Sequence, residues 1–483
     1  MRQTTGPFSA ATAISAALAL LAGGALRVWM LGKFFEVNGD SQLYGGMAKN
    51  LLLHGQYALT DAKGMLHPTL IRLPGYPLFL AACFRLFGME NYWSAAVAQI
   101  LLELSGCFLL ALFVSRISAP GSRMAAAQAT LWLAALCPFT AVYDAEPLSE
   151  GLSLFCIALA LWSAARFVDW PDWKNALVFT IAVTYSALLR PDGALVGVAL
   201  APPILIRVFG QAPRFRAPSS RSLSIARVGS HELRIAVVCL ILSLAPFAAW
   251  TWRNWRVFHV IQPLAPRYAT DPGENTWPGF QRWVKTWCLD FVSTYQIYWN
   301  VPAGPIEMDK LPSRAFDSPQ QYADTARLAA KYESNGEELS PEIDAGFAQL
   351  AQQRISAEPL RYYLILPLGR VADMWLRPRV ENLPIDLDWW VYSHHRVETR
   401  FSWFYAGLNA LYLLLAIAGL CLRPRLWPWM LLYMVLRSAL LTTIEAPEAR
   451  YTLECFPMLF ALGGIAVAWL YSRFASHLKR SHS

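Results

Sequence analysis

Apolar runs long enough to cross a bilayer recur along most of this 483-residue chain, and that recurrence limits its fold more than any single motif does. A helical run of roughly 16 to 25 residues can traverse a hydrocarbon core of about 30 Å. Inside that core only helices and closed barrels satisfy their own backbone. The runs are continuous and rich in Leu and Ala rather than alternating, so an all-α polytopic membrane protein is expected. Ten spans are predicted, near 10–32, 92–116, 124–143, 148–168, 174–189, 193–209, 235–252, 403–422, 427–444 and 454–472, with the fifth and sixth the shortest. The first lacks a small-residue cleavage site and carries Arg27, so it reads as a retained anchor rather than a signal peptide. Composition agrees, at 55% hydrophobic and 15% charged residues with a mean hydropathy of +0.33.

Orientation follows from basic residues. With the N-terminus inside, the inner segments hold sixteen Lys or Arg, six of them between Arg207 and Arg234, against three acids, Asp169, Asp172 and Glu232. A multi-pass plasma (inner) membrane protein is expected. The net charge of +8 is accounted for by topology and anionic lipid, so nucleic acid is not expected as a partner. The eight cysteines are scattered singly with no metal spacing, which favours small buried hydrophobic roles over a disulfide framework.

Two outer segments, 33–91 and 253–400, exceed mere connectors. The domain reading is an N-terminal transmembrane catalytic module at 1–252 with its first outer loop at 33–91, an extracytoplasmic or interfacial region at 253–400, and C-terminal transmembrane helices at 401–483. Residues 211–234, rich in Arg, Ser and Pro, read as a flexible inner linker. The 253–400 segment carries 16 Lys or Arg, 18 Asp or Glu and eight tryptophans, a composition that fits a partly folded layer at the membrane surface. Within it, 318–331 and 341–356 have helical character and open with Ser-Pro pairs suited to helix starts. The run 361–379 is apolar, but Arg370 and Asp373 in its middle favour an interfacial amphipathic helix over a span. No internal repeat is evident.

Several short stretches carry candidate chemistry. Segment 33–91 contains Asn38-Gly-Asp40-Ser-Gln-Leu-Tyr44, an amphipathic stretch through Ala48 to Tyr57, and Arg72-Leu-Pro74-Gly-Tyr-Pro77. Tyr143-Asp-Ala-Glu146-Pro-Leu-Ser149-Glu150, Leu189-Arg190-Pro-Asp192-Gly193 and Glu445-Ala-Pro-Glu448-Ala-Arg450-Tyr451 follow at later outer turns. A single acid just past the first span, followed by an amphipathic helix and a PGYP turn, resembles the GT-C glycosyltransferases. It resembles specifically the family 39 branch of protein O-mannosyltransferases, aminoarabinose transferases of lipid A and Rgt-type lipopolysaccharide glycosyltransferases. It touches about 30–200 and 440–470 and covers the middle loosely.

The resemblance implies a GT-C fold and an inverting transferase that moves sugar from a polyprenyl-phosphate donor to an envelope lipid, glycan or protein on the extracytoplasmic face. Many relatives carry an acid directly after the first-loop Asp, whereas here Ser41 follows Asp40. No cofactor is therefore expected, and a divalent metal is not favoured. Displacing a phosphate at the anomeric carbon requires a carboxylate to take the acceptor proton and cations to hold the leaving group. Asp40, Glu146 and Glu150 are the candidate catalytic acids. Tyr44, Lys63, Arg72, Asp144, Arg190, Arg267, Arg450 and Tyr451 are the candidate donor and phosphate contacts.

Each candidate has an ordinary rival role. Asp40 suits an N-cap, Glu146 and Glu150 suit helix caps, and Arg190 suits an interfacial anchor. His54, His67, His394 and His395 show no ligand pattern. Glu103 and Arg437 lie within spans, where charges pair or line a wet route, and a mutual pair is one expectation. The competing function is a transporter or flippase of lipid-linked sugar, disfavoured by the few intramembrane charges and the missing repeat.

Overall fold

The computed structural model describes residues 10–209, 222–302, 304–390 and 393–481. Among them, seven helices are long and apolar enough to cross a membrane: Ala10–Phe34, Tyr92–Ile117, Glu150–Asp169, Pro191–Phe209, Leu233–Phe258, Arg396–Cys421 and Ala449–His477. The pair Arg123–Ala135 and Pro138–Ala145, bent by 43°, makes an eighth if taken as one span, and Trp173–Leu189 and Trp427–Leu441 are shorter apolar helices. A helix thus stands at each of the ten positions read from hydropathy, and the chain is an all-α multi-pass membrane protein.

Local chemistry explains the departures. Pro138 has no N–H and disfavours helical geometry in the residue before it, so Cys137 is extended at φ −69° and ψ 113° and the third span bends there. The sixth expected span is longer than anticipated, and the ninth is the shortened one. It stops at Leu441, where the Thr442 and Thr443 hydroxyls donate to the carbonyls of Ala439 and Leu440 at 2.7 and 2.8 Å in competition with the helical ladder. The linker expected at 211–234 is corrected in part: residues 211–221 lie outside the described residues, but Ser222–Phe258 is one helix.

Two compact units emerge, one of 1–272, 411–434 and 454–483, the other of 273–410 and 435–453. The sequence divisions near 252 and 400 follow the ends of apolar runs, whereas these units follow packing. In the first unit helices approach through small residues, as membrane helices do. A Cβ on Gly23 would lie 2.7 Å from the Ala135 carbonyl oxygen, one on Gly419 2.0 Å from that of Leu462, and one on Gly464 2.0 Å from Thr130 Oγ1.

A buried ion cluster ties the same unit together. Arg27, fully buried, lies 2.7 Å from Glu103 and 2.9 Å from Asp144 and donates to the Ala135 carbonyl at 2.6 Å. The expected pairing of Glu103 with Arg437 is therefore replaced: Arg27 is the partner of Glu103, and Arg437 Nε donates to the Tyr451 carbonyl at 2.7 Å.

The second unit has a core of its own, which corrects the expectation of a partly folded layer. Phe280, Trp283, Val284 and Trp287 are buried with Ile343, Phe347, Leu350 and Ala351, pairing a stripe on Pro278–Lys285 and the turn after it with one on Pro341–Ala357. The two Ser-Pro starts are N-caps: Ser318 accepts from the Gln321 N–H and Ser340 from that of Ile343. The 361–379 run becomes a π turn at Arg361–Ile365 followed by the helix Leu366–Leu376. Its Arg370 is buried and donates to the carbonyls of Cys288, at 2.7 Å, and Lys285. That contact satisfies carbonyls at the end of Pro278–Lys285, which accounts for a cation in the middle of an apolar stretch.

Candidate functional site

Asp40 lies in the first turn of the helix Gly39–His54, whose N-cap is Asn38. The N-cap position expected as Asp40's alternative role thus belongs to Asn38, whose side chain makes no capping hydrogen bond. Gly39 has φ +43°, a left-handed conformation that a side chain would strain, and it turns the chain so that Asp40 enters the helix as its second residue. The Asp40 carboxylate meets Arg72 at 2.7 Å, each side chain about a quarter exposed. Arg72 stands just before Pro74, the N-cap of Gly75–Phe87, so one ion pair joins the two helices of segment 33–91. Tyr57 Oη donates to the Arg72 carbonyl at 3.1 Å, and Arg253 donates to the carbonyls of Tyr57 and Thr69, both at 2.7 Å. This anchors the small hairpin of Ala58–Thr60 and Leu66–Pro68 to the Ser222–Phe258 helix.

A second ion pair stands at the head of Glu150–Asp169. Glu150, buried, meets Arg190 at 3.0 Å, and Arg190 also approaches Glu454 at 3.3 Å and Asp192 at 3.6 Å. Two tyrosines connect the two pairs. Tyr44 and Tyr76 are buried with ring centroids 5.0 Å apart. Burial first, then the nearby Asp40 carboxylate and Glu150, raises the Tyr44 phenol above its ordinary range, while Arg72 and Arg190 pull it down. Tyr44 therefore lies within the field of both ion pairs. Tyr76 Oη donates to Gln99 Oε1 at 2.9 Å, and Gln99 Nε2 donates to the Glu146 carbonyl at 3.2 Å.

Of the sequence candidates, the structure therefore gathers Asp40, Tyr44, Arg72, Glu146, Glu150 and Arg190 in one neighbourhood. Asp144 is committed to Arg27, and the glycine at 151 leaves room for it, since a Cβ there would lie 2.3 Å from its Oδ1. Lys63 is exposed at the tip of the hairpin, its backbone N–H bonded to Asp61 at 2.9 Å. Arg267 lies over the Tyr268 ring at 5.3 Å. Arg450 and Tyr451 belong to the second unit, where Arg450 meets Glu448 at 2.5 Å and Tyr451 donates to the same carboxylate.

Sequence reasoning missed Tyr76, Gln99, Arg253 and Glu454. Gln99, a polar residue inside an apolar run, was the signal available for one of them. It also missed that His395 joins Asp386 and Asp388, whose ligand atoms and its own lie within 4.8 Å of one another. Asp386-Leu387-Asp388 brings two carboxylates around one imidazole, at 3.3 and 3.4 Å.

Residues 67–219 match the family described as dolichyl-phosphate-mannose-protein mannosyltransferase. The resemblance to the GT-C glycosyltransferases of family 39 type is thereby borne out over the segment that carries Arg72, Pro74, Glu146, Glu150 and Arg190. Among curated proteins none matches the chain. Solved structures similar to it include the archaeal oligosaccharyltransferase AglB from Archaeoglobus fulgidus, in complex with an inhibitory peptide and a dolichol-phosphate. That match has 11% identity, a TM-score of 0.48, and coverage of 98% of this chain and 51% of AglB. This chain thus spans about half the length of the archaeal protein. ArnT from Cupriavidus metallidurans is similar at 15% identity over 94% of this chain and 77% of its own. The TM-score is 0.37 for its apo state and 0.33 for the form bound to undecaprenyl phosphate.

Proposed function

We propose that this chain is a membrane glycosyltransferase that takes a sugar from a polyprenyl-phosphate carrier and passes it, with inversion, to the hydroxyl of an envelope lipid, glycan or protein. The reading places the site on the extracytoplasmic face of the plasma (inner) membrane, with Asp40 as the base. The observation that carries it is the pair Asp40–Arg72 at 2.7 Å, set near the buried pair Glu150–Arg190 by the Tyr44–Tyr76 contact.

That arrangement suits the chemistry. The acceptor oxygen forms the new bond to the anomeric carbon as the bond from that carbon to the phosphate oxygen breaks. The phosphate leaves with the electron pair, and Asp40 receives the acceptor proton. Beside a guanidinium, a carboxylate is held ionised and ready to accept. Arg72, a quarter exposed, serves both to aim Asp40 and to meet the departing phosphate. The positive charge of Arg190 is shared among Glu150, Asp192 and Glu454, so in this reading it positions Glu150 rather than binding phosphate. A cation already stands at the Asp40 carboxylate as a side chain, which supports transfer without a divalent metal.

The test is transfer by purified protein in detergent, with chelator present, from a panel of radiolabelled polyprenyl-monophosphate sugars to crude envelope lipid and protein. A new glycoside from wild type, reduced about 100-fold with Asp40→Asn, is expected. Bond formation needs no sealed compartment, whereas a flippase requires one. Redistribution of donor between leaflets of vesicles, without any new glycoside, would replace the transferase reading by the transporter.

A further inference from the structure

The second compact unit contains a cavity of about 630 Å³ built from groups that the chemistry above does not use. Trp389 and Trp390 form one side of it, their ring centroids 5.8 Å apart and their planes at 84°. Two ion pairs line it as well. Asp290 pairs with Arg314, which also donates to Ser293 Oγ at 2.9 Å, and Asp373 pairs with Arg377 at 3.2 Å.

We propose that this cavity binds a saccharide of one or two rings. The volume falls within the range of about 300–1,000 Å³ usual for small-molecule sites. Trp390, about half exposed, offers indole surface to the weakly positive C–H face of a pyranose, and Trp389 makes edge-to-face contacts with Trp390 and Trp403. Carboxylate and guanidinium forks supply paired acceptors and paired donors to neighbouring hydroxyls.

Arg377 also lies over the Phe291 ring at 5.1 Å, which holds its guanidinium beside Asp373. Burial pushes Asp373 up to about 6 against the pull of Arg377, so this carboxyl can either accept from or donate to a hydroxyl. An aliphatic chain here would leave both ion pairs without polar contacts, whereas the hydroxyls of a neutral sugar can meet Asp290 and Asp373 as donors and Lys310, Arg314 and Arg377 as acceptors.

The experiment uses full-length protein in a detergent without a sugar head group, applied to an array of mono- to tetrasaccharides. Wild type, Trp390→Ala and Trp389→Ala are compared after their thermal unfolding has been shown to match. Wild type should bind at least one glycan class, with affinity falling about tenfold when an indole face is lost. No glycan bound by wild type, or equal binding by all three proteins, overturns the cavity assignment.

Discussion

Asp40 and Arg72 stand 32 residues apart in sequence and 2.7 Å apart in space, and the consequences of that pair are measurable. Asp40→Asn keeps the side-chain shape but removes the base, so transfer should fall by about 100-fold while titration with donor shows unchanged affinity. Retained transfer would move the base to Glu150 or Glu146. Asp373 gives a pH prediction. Its folded-state pKa of about 6 is above the ordinary carboxyl range, so the folded protein favours the proton. The stability this contributes is present in acid and lost as the pH rises through 6. Asp373→Asn should therefore stabilise the protein at pH 8, by at most about 3 kcal/mol, and the gain should fade between pH 6 and 4 in denaturant unfolding monitored by tryptophan fluorescence. A constant difference across that range would show that the carboxyl does not titrate there. The candidate acids were legible because each lies at the end of an apolar run. Their partners were not, since nothing local in the sequence links Arg27 to Asp144, 117 residues away.

At the scale of elements, hydropathy and caps carried most of the reading. Ten helices stand where apolar runs are long, and the helices at Pro319–Ser334 and Pro341–Ala357 start at the Ser-Pro pairs. What escaped was decided by packing. The core of the second unit depends on an aromatic stripe at Phe280, Trp283 and Trp287, in a segment whose overall composition is balanced between charge and tryptophan. The bend at Cys137 was hidden because Pro138 lies inside an otherwise apolar run. Close helix crossings are likewise invisible until the glycines are seen facing a neighbour. Gly419 is the sharpest case, since a Cβ would meet the Leu462 backbone oxygen at 2.0 Å, an atom that cannot rotate away. Gly419→Val should therefore cost about 1–3 kcal/mol, visible as earlier thermal unfolding in detergent, whereas the same change at Gly407, which has nothing within 4 Å, should cost much less. Equal losses at both sites would mean that helix propensity rather than contact sets the cost.

For the whole molecule, the distribution of basic residues predicts a single topology. Cysteine placed at the exposed position of Lys174 should be labelled only from the cytoplasm, and cysteine at the exposed Ser318 only from outside. Cys421, the exposed native cysteine among the described residues, is replaced by serine beforehand. Labelling of both positions from one side would overturn the inside and outside assignment of the spans. The buried cluster of Arg27, Glu103 and Asp144 also bears on how such a chain is made. During synthesis the Ala10–Phe34 helix reaches the membrane while Glu103 and Asp144 are still to be translated. Arg27 stands past the middle of that helix, where its long side chain can reach toward the interface, so its penalty stays below the about 2.5–3.5 kcal/mol of a central arginine. The helix is therefore expected to insert with its guanidinium drawn toward the interface and to settle deeper once Tyr92–Ile117 brings Glu103. A chain truncated before that helix should show position 27 at shallower depth than the full chain does, and equal depth in both would refute the shift.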